Sequence, residues 1–281
     1  MGNVLHYWMV EPPRGGIFDD GKKQPAFEVQ MKSHDGRQTD AAVFCDDSGD
    51  PEFIRVRDHG ATIQTVNANA DLVMVAREHV VSVLRFTWFG GGRLLPTSFY
   101  TEEPDVGSGA SIRVEWPSSF AFDGNAAKDF FVHTFEKRQS VRLLADGIND
   151  DIPLQYRYLS LYKFLEIRFR GDDDRWDHGA ITRALGAHRD AFGALRLDRT
   201  FEQELNHLRD RCAHIRSGSG KRRRLGVTSL NYEARVEVER LMPILLGVCR
   251  DAFNAEHEGK LQLGDLKPWY QRMQPVDQGN S

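Results

Sequence analysis

Three side chains in "LRDRCAHIRSGSGKRRR" have the types and spacing for acid–base chemistry on a phosphate ester: Arg209, Asp210 and His214. At about 100° per residue, Asp210 and His214 lie about 40° apart on a helix, one turn from each other. A carboxylate in that place fixes the tautomer of an imidazole and favours its charged form. Arg209 lies about 140° round the helix from His214. A groove beside the helix end, or a second copy of the helix across a dimer, would bring the two together. RNA carries its own nucleophile, the 2′-hydroxyl, so its cleavage needs only a base, an acid and a cation. An imidazole near its titration point serves as base and acid, and a forked guanidinium suits the charge on phosphorus. This chemistry calls for no metal and no other cofactor. Lys221, Arg222, Arg223 and Arg224, with Arg216 ahead of them, would grip a phosphate backbone without reading sequence.

The same residues allow blander readings. His214 would interact with the last carbonyls of its helix, and Arg209 would form a surface ion pair with Glu202, Glu204 or Asp210. His207, Asp210 and His214, at i, i+3 and i+7, also offer three metal ligands on one face. No further cluster at ligand spacing completes that site in the sequence.

The elements that must hold these residues are helices. "NAAKDFFVHTFEKRQSVRLLADG" reads as one, capped by Asn125, and "DDIPLQYRYLSLYKFLEIRFRG" as a second, with Pro153 in its first turn and Gly171 past its end. In the second, Leu154, Tyr158, Leu161, Tyr162, Leu165 and Phe169 make a core-facing stripe. Tyr156, Tyr158 and Tyr162 read as packing residues. A glycine-interrupted helix covers 176–194. "DRTFEQELNHLRDRCAHIRS" is a strong helix capped by Asp198 or Thr200, and "SLNYEARVEVERLMPILLGVCRDAFNAEH" a long one that Pro243 is expected to kink. Long helices on short loops indicate an antiparallel bundle over 125–257. A tail over 258–281 follows, in which "LKPWY" docks back on the body.

Residues 1–124 read differently. Short β-branched and aromatic runs at 4–10, 26–32, 40–45, 53–57, 61–66 and 111–116 alternate with turn chemistry such as "HDGR" and "DDSGDP". Residues 70–88 read as a helix. Gly90, Gly91 and Gly92 form no phosphate-binding pattern and read as a turn. The fold class expected is α+β, a β-rich N-terminal domain followed by a helical bundle.

Composition agrees with a globular chain: of 281 residues, 40% are hydrophobic and 28% charged. No apolar run approaches the ~20 residues of a membrane span, and the N-terminus lacks the pattern of a secretory signal. Cys45, Cys212 and Cys249 form neither a disulfide framework nor a CxxC site, which suits a reducing cytoplasm. Residues 1–125 carry 11 Lys and Arg against 18 Asp and Glu, whereas residues 126–281 carry 26 against 23. A polyanion is therefore drawn to the second half.

Arg209-Asp210-Arg211-Cys212-Ala213-His214 resembles the R-φ-x-x-x-H signature of HEPN domains, in which φ is usually Asn, Asp or His. The family is a bundle of four main helices with the motif near the end of the third, and the resemblance covers roughly residues 125–257. A strand-rich front ahead of such a bundle is similar to the layout of bacterial MauJ-like and phage-defence HEPN proteins. The resemblance implies a metal-independent endoribonuclease acting as a homodimer, its two motifs sharing one cleft. It implies Arg209 and His214 as the catalytic pair, Asp210 as the orienting residue and Glu166 in a supporting role. It implies RNA as substrate, a defence or toxin setting and an antitoxin or defence-system partner, while the lack of a long apolar run implies no membrane. The N-terminal domain would sense a trigger or recruit a target. Many members of the family bind a protein or nucleotide without cutting anything, which is the alternative function.

Overall fold

Cross-strand register explains the N-terminal sheet. The computed structural model describes residues 2–11, 23–33, 35–62, 65, 70–102, 122–171, 173, 175–213, 216–217, 224–225, 231–268 and 271. Strands β1 (Asn3–Glu11), β2 (Phe27–Lys32), β3 (Gln38–Cys45), β4 (Pro51–His59) and β5 (Arg93–Glu102) form one antiparallel sheet in the order β2-β3-β4-β1-β5. Trp8, Ile54, Val43 and Phe27 stand opposite one another across four strands and so share a face. Helix α1 (Ala70–Thr87) brings Arg77 over the Trp8 ring, and helix α2 (Gly124–Thr134) sets Phe131 against Phe27. The opposite face buries Leu5, Tyr7, Ala42, Phe44 and Phe53 as a second apolar cluster, with the Phe44 and Phe53 rings stacked at 4.6 Å.

Four of the expected strands and the helix over 70–88 stand where the pattern puts them. The strand expected at 61–66 does not form over its described residues. There Thr65 N–H donates to Thr62 O in a turn, while Ala61 is buried against Val4. The strand expected at 111–116 lies outside the described residues. Strand β5 has no counterpart in the sequence pattern. Pro96 obscures it in the sequence, and an edge strand tolerates such a residue because one side needs no ladder hydrogen bonds. The register of β5 on β1 shifts in this region, between Trp8 and Val10. The glycine trio is a turn, with Gly91 and Gly92 at φ of 82° and 60°, the left-handed region that glycine enters freely.

Two compact units result, Met1–Arg138 and Gln139–Ser281, so the expected boundary after residue 124 is displaced. The helix expected from Asn125 is broken by a 3₁₀ turn at Phe135–Lys137. Helix α2 belongs to the sheet unit because Phe130 and Phe131 pack there against α1, Phe130 on Phe86 and Phe131 on His79. Only α3 (Arg138–Ile148) continues into the second unit. The cap of α2 is Asp123 rather than Asn125, its Oδ1 accepting from Asn125 N and Ala126 N at 3.0 Å each. Asp123→Ala should cost about 1 kcal/mol of stability in the sheet unit. A thermal melt unchanged by the substitution would remove this cap from the account.

The second unit is helical: α4 (Leu154–Phe169), α5 (His178–Leu185), α6 (Arg189–Gly193), α7 (Phe201–Ala213) and α8 (Tyr232–Glu256) follow α3, with two short strands, β6 (Arg216–Ser217) and β7 (Arg224–Leu225). On α4 the expected stripe is buried at Tyr158, Leu161, Tyr162 and Leu165, and Phe164 widens it. Helix α8 runs on through Pro243 and is capped by Asn231, whose side chain accepts from Ala234 N. Beyond α8 the tail docks on the unit. Leu263 exchanges two hydrogen bonds with the Asn254 amide, Arg250 pairs with Asp265 at 3.1 Å, and Pro268 is buried. No helix among the described residues is long and apolar enough to cross a membrane.

Candidate functional site

Helix α7 starts with a reciprocal cap: Gln203 N–H donates to Thr200 Oγ1, and Thr200 N–H donates to Gln203 Oε1. It buries Phe201, Leu205, Leu208 and Cys212, as its apolar spacing requires. The same rotation leaves Asn206, Arg209 and Asp210 half-buried on another side, beside α4. Tyr158 on α4 donates to Leu205 O at 2.8 Å, and one turn on, Tyr162 donates to Asn206 Oδ1 at 2.9 Å. The chain between α4 and α5 turns back through a bridge between Arg170 and Trp176. Trp176 thereby meets the edge of the Tyr162 ring at 5.6 Å and also donates to Asn206 Oδ1.

Arg209 lies over this platform. Its guanidinium carbon is 5.8 Å from the Tyr162 ring centroid, its Nη1 is 2.9 Å from Asp210 Oδ1, and it hydrogen-bonds the Tyr162 hydroxyl. Burial alone would weaken the guanidinium as a base, but the Tyr162 bond and the Asp210 charge outweigh it and hold the pKa above the ordinary arginine value. The side chain remains 37% exposed, so an anion can reach its fork. Glu166, one turn beyond Tyr162 on α4, pairs with Arg170, whose guanidinium lies 5.2 Å from the Trp176 ring centroid. Glu166 also contributes its negative charge to the surroundings of Arg209 and Tyr162.

Of the residues expected in the site, the structure thus brings Arg209 and Glu166 beside Tyr162, with Asp210 paired to Arg209. Asp210 is 51% exposed and turned to Arg209. Arg216 and Arg224 are strand residues of a two-rung ladder, Arg216 opposite Leu225 and Ser217 opposite Arg224, which closes the base of the expected loop. His214, Lys221, Arg222 and Arg223 lie outside the described residues.

His207 departs from the metal alternative. Its Nε2 lies 3.7 Å from Glu237 Oε2 on α8, and the 3%-exposed Arg211 reaches the same carboxylate oxygen at 3.0 Å. Burial and the nearby Arg199 charge hold the His207 pKa below the usual histidine value. Among the described residues, no three His, Cys, Asp or Glu side chains gather as metal ligands. Burial drives the thiol pKa values up, to about 12 for Cys45 and Cys212 and higher for Cys249. None is therefore a thiolate nucleophile at neutral pH.

The ends of α4 and α7 open onto a feature the sequence did not reveal, a groove of about 1250 Å³. Cys212 and Ala213 close α7 at its wall, and Tyr156, His188, Gly247 and Arg250 stand around it. His188 Nε2 meets Asp251 Oδ2 on α8 at 2.9 Å. Burial raises the Asp251 pKa, but bonds from Arg250 and His188 outweigh it and hold it below the usual carboxylate range. A Cβ on Gly247 would run into the His188 ring, so glycine allows the imidazole to lie against α8. No family model, curated protein or solved structure matches the chain.

Proposed function

We propose that the helical unit is a metal-independent endoribonuclease of HEPN type, active as a homodimer and serving a defence or toxin role. His214 takes the proton of the 2′-hydroxyl while the 2′-oxygen bonds to phosphorus. The bond from phosphorus to the 5′-oxygen breaks, and the imidazolium returns its proton to that oxygen. Arg209 carries the charge that develops on the phosphoryl oxygens. Lys221–Arg224 and Arg216 hold the RNA backbone, Glu166 supports the arginine platform, and the N-terminal unit recruits the target. The setting would include an antitoxin or defence-system partner.

The observation that supports this reading most is the state of Arg209. Its guanidinium is oriented by Tyr162 and Asp210 yet open to an anion, one turn before the end of α7. A surface arginine without such a platform samples many rotamers and loses entropy on binding.

Purified protein incubated with total RNA should give fragments ending in 2′,3′-cyclic phosphate, in the presence of EDTA as in its absence. Loss of cleavage in EDTA would reject the metal-free mechanism. One observation favours a second reading, a HEPN-like module that binds a protein or nucleotide without cutting anything. The Asp210 carboxylate is engaged by its neighbour Arg209 rather than held open for an imidazole. Under that reading RNA remains intact.

A further inference from the structure

We propose that the groove at the ends of α4 and α7 is a track for single-stranded RNA, in which Tyr156 stacks a base and His188 contacts the sugar–phosphate chain. It rests on the endoribonuclease reading only in placing this strand beside the α7 end.

Single-strand binding combines an aromatic platform with cations spaced along a channel, and both are present here. By residue type Tyr156 belongs with the packing tyrosines of α4. Tyr158 and Tyr162 are buried, whereas Tyr156 is 57% exposed and lines the groove. An exposed aromatic side chain on a rigid helix offers a π-face at little entropic cost. Around it stand Arg157, Arg235, Arg250 and Lys267. Arg235 pairs with Glu239 at 2.7 Å and Lys267 with Asp265 at 3.5 Å, both at the surface. Exposed pairs of this kind are worth little, so a phosphate displaces the carboxylate readily. The first turn of α4 on the groove wall contains no acidic residue, and of the acidic residues that line the groove, Asp150, Glu239 and Asp265, the last two are paired with its cations.

His188 adds direction to this surface. Its Nε2 is committed to Asp251, itself gripped by Arg250, and its ring is pressed against Gly247. With Nε2 held by the Asp251 carboxylate, Nδ1 is the ring nitrogen left to meet a ligand. Among the described residues Nδ1 has no partner. An oriented ring nitrogen of this kind suits a 2′-hydroxyl, which both donates and accepts and which distinguishes RNA from DNA.

The test measures fluorescence anisotropy of a short labelled single-stranded RNA with the full-length protein, cleavage being followed in parallel. Tyr156→Ala should weaken binding about tenfold. His188→Ala should reduce the preference for RNA over the DNA oligonucleotide of the same sequence. Arg235→Gln with Lys267→Gln should make the salt dependence shallower by about 0.7 for each phosphate left without a cation. Gly247→Ala should reproduce the His188→Ala effect by displacing the ring, with circular dichroism verifying that each variant is folded. Unchanged affinity and selectivity in folded Tyr156→Ala and His188→Ala would overturn the proposal, and so would equal affinity for duplex RNA, whose bases are not free to stack. Cleavage without any effect of these variants rejects the track and leaves the nuclease reading standing. Tyr156-dependent binding without cleavage does the reverse.

Discussion

Arg209→Ala should lower RNA cleavage by roughly a hundredfold or more, the effect of deleting one positioned group that meets transition-state charge, while the fold is kept. The side chain is 37% exposed, and its ion pair with Asp210 joins two partly exposed neighbours on one helix. Such pairs contribute little to stability. Arg209→Lys should recover only part of the rate, since an ammonium keeps the charge but lacks the planar fork. Tyr162→Phe separates orientation from charge. It keeps the ring beneath the guanidinium and removes the hydroxyl bonded to Arg209, so kcat should fall with KM nearly constant. Asn206 would still accept from Trp176 in that variant. Full cleavage by a folded Arg209→Ala protein would sink the proposed mechanism.

The parts of this site on a single helix are legible in the sequence because helical spacing is arithmetic. Phe201, Leu205, Leu208 and Cys212 fix which side of α7 is buried, and that places Arg209 at the flank of the buried stripe, about 40° from Leu205, and Asp210 opposite it. The stripe on α4 likewise identifies Tyr158 and Tyr162 as inward. Residue type alone groups Tyr156 with the packing tyrosines, but it lies two residues from Tyr158 and so on a different side of the helix. The His188–Asp251 pair joins residues 63 apart in the chain, and no local pattern links them. A signal was nevertheless present in "LLGVCRD": a glycine within a long helix often marks close approach by another group, and here that group is the His188 ring.

The division between α2 and α3 was hidden for another reason. "NAAKDFFVHTFEKRQSVRLL" has no glycine or proline to end a helix, so its local preference is continuous. The break is tertiary. Phe131 and Phe135 both turn to His79 on α1, with ring centroids at 4.6 and 5.5 Å, and the 3₁₀ turn begins at Phe135. Local propensity is a weak prior, and packing overrides it here.

That aromatic cage has a large consequence for stability in acid. His79 is 2% exposed, and burial pushes its pKa down to about 4, assisted by the Arg138 charge and opposed by a bond to Phe131 O. Thr134 Oγ1 donates to Phe130 O at 2.6 Å, so the His79 Nε2–H is the donor to Phe131 O at 3.2 Å and to Thr134 Oγ1 at 3.3 Å. Nδ1 is buried without a partner. A second proton would have to go there, placing a charged N–H where nothing accepts it. The unfolded chain has no such restriction and binds that proton near pH 6.5. Above that pH both states are neutral at His79 and its contribution is complete. As pH falls from 6.5 towards 4, the unfolded state binds more protons than the folded one, and stability declines by about 1.4 kcal/mol per unit. The loss approaches about 3 kcal/mol near pH 4 and levels off below it. Urea unfolding of the wild type and His79→Leu across this range isolates the contribution, because the two proteins differ in that side chain alone. The wild type should lose stability more steeply with acid than the variant, and NMR should place the His79 imidazole titration near pH 4. Parallel curves for the two proteins would show that protonation of His79 is not what acid acts upon.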